Sequence, residues 1–187
     1  FERLRTHDAR LGIDRFPGGC PPEEKLLLGA DAAGGLIRAL SVCPDYGAVV
    51  IDLGSAPTEA HIEAFMRSAA IFWIVPGHNA GLHKAESALG YFRRRHPDRF
   101  AEAEPRIRFV AARAGQTDAA RPAGLCFAAR IPDVPQLHGE GRAEEAARSP
   151  ALMGACLGLL GAAGWKPEGG KPDDRGTRGA PAAGTGQ

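Results

Sequence analysis

No run in this 187-residue chain is long and apolar enough to cross a bilayer, and no signal-peptide pattern is visible. A cytoplasmic protein is therefore expected. Charge of one sign is also missing: the formal net charge of +1 gives no global field to draw the chain onto nucleic acid or an anionic membrane. Only 4 cysteines occur, Cys20, Cys43, Cys126 and Cys156, and no two stand at a metal-ligand or redox spacing. Buried, reduced thiols are expected of them. His78 and His83, five apart, do not share a helix face as a metal pair would.

What is present is the composition of an ordinary globular domain, with 44% hydrophobic and 24% charged residues, enough for one core. Leu11–Phe16 reads as a short strand that stops at Pro17-Gly18-Gly19. Glu23–Val42 carries Leu26, Leu27, Ala30, Ala33, Leu36, Ile37 and Leu40 near helical spacing. Ala48-Val-Val-Ile-Asp52-Leu53 is a continuous apolar, β-branched run and predicts a buried central strand. Thr58 caps a helix to about Arg67 that turns Ile62, Phe65 and Met66 inward. Ile71–Val75 predicts a second buried strand, and Asn79 the cap of a helix through Leu82, Ala85, Leu89 and Phe92 to Arg95. Arg106–Ala111 and the weaker Leu125–Ala128 predict two more strands, with Pro132 and Pro135 marking a loop. A last helix spans Ala143–Ala163, interrupted or restarted at Pro150. From Lys166 to Gln187 there is almost nothing to bury, so a disordered tail is expected.

Strands alternating with helices imply an α/β fold, a parallel sheet with helices on both faces and its site beyond the carboxyl ends of the strands. That rule directs attention to Asp52–Ser55, Pro76–Asn79, Ala112–Arg113 and Ile131–Asp133, four segments that follow strands and are expected to line one crevice. Asp52 ends an apolar strand and precedes small residues, the Walker B arrangement for holding magnesium through its water shell. It equally suits a residue that ends a strand and caps a turn. Gly54 leaves room for a backbone amide to approach a phosphate.

Tyr46-Gly-Ala-Val-Val-Ile-Asp-Leu-Gly54 resembles the second phosphate-sensing segment of the MinD/ParA family of P-loop ATPases, including its pilus-assembly branch. The resemblance continues in order through Ala69–Pro76, Ala80–Glu86, Arg106–Arg113 and Arg130–Pro135, and covers about Leu11 to Trp165. It implies that residues 1–165 are the C-terminal two-thirds of a three-layer P-loop-type domain whose N-terminal part, with its phosphate loop, lies before Phe1. It implies ATP and Mg2+ as ligands, Asp52 at the metal, Gly54 and Ser55 at the terminal phosphate, and Arg113, Pro132 and Asp133 around the base. It also implies a homodimer, protein partners of unknown identity, and a role in placing division sites, chromosomes, plasmids, pili or secretion machinery. Hydrolysis would proceed by positioning water, so no catalytic side chain is expected.

The chain departs from that family's pattern. Ala112 stands where the base-reading Asn is usual, Val134 where the loop has Asp, and Ala56 where the sensing segment has Gly. A second reading follows, of a catalytically inactive scaffold that binds protein partners. Leu26–Gly35 mimics a phosphate loop but has neither its Lys nor its Ser/Thr, and reads as a Gly-containing helix packed on the sheet. Arg93–His96 reads as a solvated helix terminus, and Leu152–Leu160 as a helix packed on the domain, with too few cations for one lying on a membrane.

Overall fold

The computed structural model describes residues 5–9, 11–16, 29–76, 79–114, 126–137 and 142–165. Thr6–Asp8 (β1) and Ile13–Arg15 (β2) pair as an antiparallel hairpin, Thr6 opposite Arg15 and His7 opposite Asp14. Gly12 turns the chain at φ 63°, a left-handed conformation open to glycine, and the Asp8 carboxylate accepts the Leu11 N–H at 3.2 Å. The strand expected at Leu11–Phe16 is thus a three-residue hairpin arm outside the parallel sheet, and Pro17–Gly19 lies outside the described residues.

Ala30–Ser41 (α1) buries Ala33, Gly34, Ile37 and Leu40. Its partner is the helix Glu59–Arg67 (α2) rather than the sheet, which corrects the expectation for the glycine-bearing segment. A Cβ at Gly34 would come within 2.9 Å of Glu63 Oε2 and 3.3 Å of the Arg67 guanidinium, so the helices meet where α1 has no side chain. Residues 23–28 of the expected helix lie outside the described residues. Thr58 caps α2 in extended conformation, and its backbone N–H donates to His61 Nδ1 at 3.3 Å, a histidine serving where a capping box usually has Glu or Gln. Ile62 and Phe65 are buried and Met66 half-buried, as the spacing predicts.

Ile71–Pro76 (β3), Ile107–Ala114 (β4) and Phe127–Pro132 (β5) form a parallel sheet in the order β3-β4-β5. Asn79–Arg95 (α3) and Pro97–Ala103 (α4) connect β3 to β4, with a tight turn at Glu104–Arg106. Helix α4 was not expected. Its signal is present in Pro97 at the first position and Asp98 in the first turn. β5 starts later than predicted and takes in Pro132, which fits the last residue of an edge strand. Ala143–Ala147 (α5) and Pro150–Ala162 (α6) follow. Pro150 does open a second helix, and Ser149 caps it by accepting the Leu152 N–H at 3.5 Å.

One face of the sheet carries the core. Ile71 and Ile107 pack with Ile62, Phe65, Leu89, Phe92, Phe100 and Ala103, and Leu53, Trp73 and Phe109 lean on that cluster. Phe92 stacks on Phe100 at 5.8 Å and meets Phe65 edge-on at 5.2 Å. At the other edge of the sheet, α6 packs with β5. This helix has no charged residue, yet buries only Leu159 and leaves Met153 and Leu157 exposed. The architecture is therefore α/β, a three-stranded parallel sheet flanked by helices. No helix among the described residues is long and apolar enough to cross a membrane.

The largest correction concerns Ala48–Leu53. It is not a buried central strand; among the described residues it pairs with nothing, and Val50 is 93% exposed. Its β-branched composition favours extended backbone, but a strand also needs a neighbour, and among the described residues β3 pairs only with β4.

Candidate functional site

The carboxyl edge of the sheet is built by register. Pro76 lies opposite Ala112, Ala112 opposite Ile131, and Ala114 opposite Pro132. Arg113 sits in β4 between two of these pairs, and the exposed Asp133 follows Pro132. The backbone thus places Arg113, Pro132 and Asp133 at one edge of the sheet. Helix α3 starts at the same edge: a Cβ at Gly81 would lie 2.7 Å from the Pro76 carbonyl oxygen. Gly77 and His78, between them, lie outside the described residues.

Asp52, Gly54 and Ser55 are elsewhere. The Gly54 carbonyl accepts a hydrogen bond from His61 Nε2 at 2.7 Å, and the His61 ring lies 6.1 Å from Phe92. Glu59 stands 3.5 Å from His96 and 3.8 Å from Arg95, at the C-terminal end of α3. From Gly81 to Phe92 is three helical turns, about 16 Å at the usual rise. Among the described residues the predicted site residues therefore fall into two groups at opposite ends of α3. The direction of α2 is responsible. Glu63 bonds Arg99 at 2.6 Å, and Arg106 bonds the Ser68 carbonyl at 2.8 Å, so α2 lies alongside α4 near the start of the sheet.

In this arrangement the residues expected at the metal and terminal phosphate stand apart from those expected at the base. Asp52 is exposed, Gly54 and Ser55 stand with it, and the residues expected at the base are at the far end of α3. No group of three or more His, Cys, Asp or Glu side chains able to hold a metal occurs among the described residues.

Two carboxylate nodes escaped the sequence reading because their partners are distant in the chain. Asp14 accepts from His7 Nδ1 at 2.7 Å and from the Tyr46 hydroxyl at 3.0 Å, with Arg5 at 3.4 Å. The His7 hydrogen bond, helped by Tyr46 and Arg5, holds the Asp14 carboxyl below its ordinary range against the effect of burial. Glu63 takes Arg99 and Arg67, and the Arg99 hydrogen bond does most to hold its carboxyl below its ordinary range. A carboxyl lowered in the folded state contributes stability above its unfolded pKa and loses it as pH falls through the folded one. The urea midpoint is accordingly expected to drop below about pH 4.5, where free carboxylates begin to protonate. In Glu63→Gln the midpoint should start lower and depend less on acid.

The remaining candidates are structural or exposed. Arg93 pairs with Glu104 and Arg95 with Glu59, so two of the cluster's three arginines are ion-paired at the helix end. His83 faces Glu86 at 3.6 Å, one turn along α3. Cys43, Cys126 and Cys156 are free, but Cys126 and Cys156 are exposed rather than buried as expected, and Cys20 lies outside the described residues. Compared with known proteins, the chain matches no family model, no curated protein and no solved structure.

Proposed function

We propose that the chain is the sheet-bearing part of a MinD/ParA-like P-loop domain, a nucleotide-dependent switch that positions cellular machinery in the cytoplasm and works as a dimer. The observation that carries this reading is the parallel sheet whose carboxyl edge gathers Arg113, Pro132 and Asp133 beside the start of α3. Those residues would border a base, in the order the resemblance implies. Exposed helix starts and strand ends at such an edge are where α/β sheets take ligands.

A second reading has its own observation. Asp52, Gly54 and Ser55 lie three turns away from that edge, and the Gly54 carbonyl is engaged by His61. This placement favours a scaffold that keeps the fold and binds protein partners without turning over ATP.

Calorimetry with ATP and Mg2+ separates the two, on this chain and on the longest product of its gene. The switch reading expects binding that falls about tenfold or more in Asp52→Ala, as for loss of a metal-holding carboxylate. Binding unaffected by Asp52→Ala would confine the nucleotide to the Arg113–Asp133 edge. No binding in either protein would leave the scaffold.

A further inference from the structure

Ala48–Leu53 is held at both ends and paired nowhere among the described residues. At its head, the Tyr46 hydroxyl donates to Asp14 on the β1–β2 hairpin at 3.0 Å. At its tail, the Gly54 carbonyl accepts from His61 at 2.7 Å. Over its last four residues the segment already alternates as a strand does: Ile51 and Leu53 are half-buried, Leu53 against the core cluster, while Val50 and Asp52 are exposed; Val49, before them, is exposed as well.

The outer edge of β3 matches this segment. Ile71-Phe-Trp-Ile-Val-Pro76 carries no charge and pairs with β4 without a bulge. The other edge of the sheet has the protective devices: β5 carries the exposed Arg130, ends in Pro132 and has register shifts against β4, with α6 packed beside it. An uncharged, unbulged edge lacks these devices and is a ready template for a further strand. β3 also turns Ile71, Trp73 and Val75 to the core and leaves Ile74 49% exposed on the opposite face. Side by side, Leu53 and Ile51 would continue the core face, and Val50 would lie with Phe72 and Ile74.

We propose that Ala48–Leu53 is a strap that closes onto the free edge of β3 as a fourth strand, with the Tyr46–Asp14 hydrogen bond as the catch that holds it off. Its direction follows from where its tail is fixed. Leu53 and Gly54 lie by the cluster at the start of β3 and by the C-terminal end of α3. The strap therefore closes antiparallel to β3, giving a mixed sheet with an antiparallel edge strand. Closure keeps Asp52 at the far end of α3 from Arg113 and Asp133, and it does not depend on the nucleotide reading.

Amide hydrogen exchange read by NMR, without nucleotide, tests this. In the wild-type chain the amides of Val49–Leu53 should exchange as an unpaired segment. Tyr46→Phe, and separately Asp14→Ala, should slow exchange there and along the outer edge of β3 by about tenfold or more, since new ladder bonds open only with the strand. Interstrand Hα–Hα contacts between the strap and β3 should appear with it, and Val50→Pro added to Tyr46→Phe should abolish both. Unchanged exchange in two catch variants that keep the wild-type spectrum elsewhere overturns the proposal. So does protection of the strap in the wild type, or pairing in the parallel sense. ATP binding is read separately, so failure of the nucleotide reading would not be mistaken for failure of the strap.

Discussion

Phe92→Ala should unfold most of the protein's stability reserve: the urea midpoint is expected to fall sharply, and at 37 °C much of the chain should be unfolded. Phe92 is 1% exposed and touches rings from three other elements, Phe65 on α2, Trp73 on β3 and Phe100 on α4. Truncation to Ala removes the transfer energy of the ring and leaves a cavity between helices that are tied by ion pairs and so collapse poorly. A loss of about 3–5 kcal/mol is the usual result for a buried Phe. Against a typical domain stability of about 5–15 kcal/mol, that is a large share. Phe92→Leu, which refills part of the space, should recover much of the midpoint. If both variants melt like the wild type, the aromatic cluster is not the centre of the core.

The second prediction concerns sign. Gly81 lies in α3, where replacing Gly by Ala ordinarily stabilises a helix by up to about 1 kcal/mol. Here the added methyl would meet the Pro76 carbonyl oxygen at 2.7 Å and the Pro76 ring at 2.9–3.0 Å. These are backbone and ring atoms that cannot swing aside, and overpacking of this kind costs about 1–3 kcal/mol. Gly81→Ala should therefore destabilise, and Gly81→Val more so. Gly158 in α6 has nothing within 4 Å of its virtual Cβ, so Gly158→Ala should show the ordinary helix gain. Thermal melts of the pair decide it: two shifts of the same sign would mean that α3 does not sit so close to the end of β3.

How much of this was legible depends on whether a residue's partner is near it in the chain. Thr58, Pro150 and the apolar residues of α2 are local signals, and the elements they mark formed where expected. Ile71–Val75 and Arg106–Ala111 were recognisable as strands because their apolar, β-branched runs are bounded by turn signals. Ala48–Leu53 has the same composition but not the same fate, since pairing is a property of the neighbour and not of the run. Helix α4 was overlooked because the Arg93–Arg95 cluster reads as a stop, although Pro97-Asp98 directly after it is a start. The candidate site divides along the same line. Arg113, Pro132 and Asp133 follow from strand order and parallel register. The displacement of Asp52–Ser55 follows from α2 lying along α4, fixed by contacts of Glu63 with Arg99 and of Ser68 with Arg106, 36 and 38 residues apart in the chain.

The packing of α6 with β5 has a consequence for how the chain is made. Val110 alternates onto the face away from the aromatic cluster and is fully buried there, beside Ala129 of β5. The helix packed beside β5 is the last one described, and a ribosome adding about 5–20 residues per second reaches Pro150–Ala162 seconds after β4 has emerged. During that interval the aromatic half of the core has all its parts while β5 stands without its helix, open to water and to other nascent chains. The vulnerable moment in the life of this protein is thus a pause in synthesis between β5 and α6, and slow codons there would lengthen it.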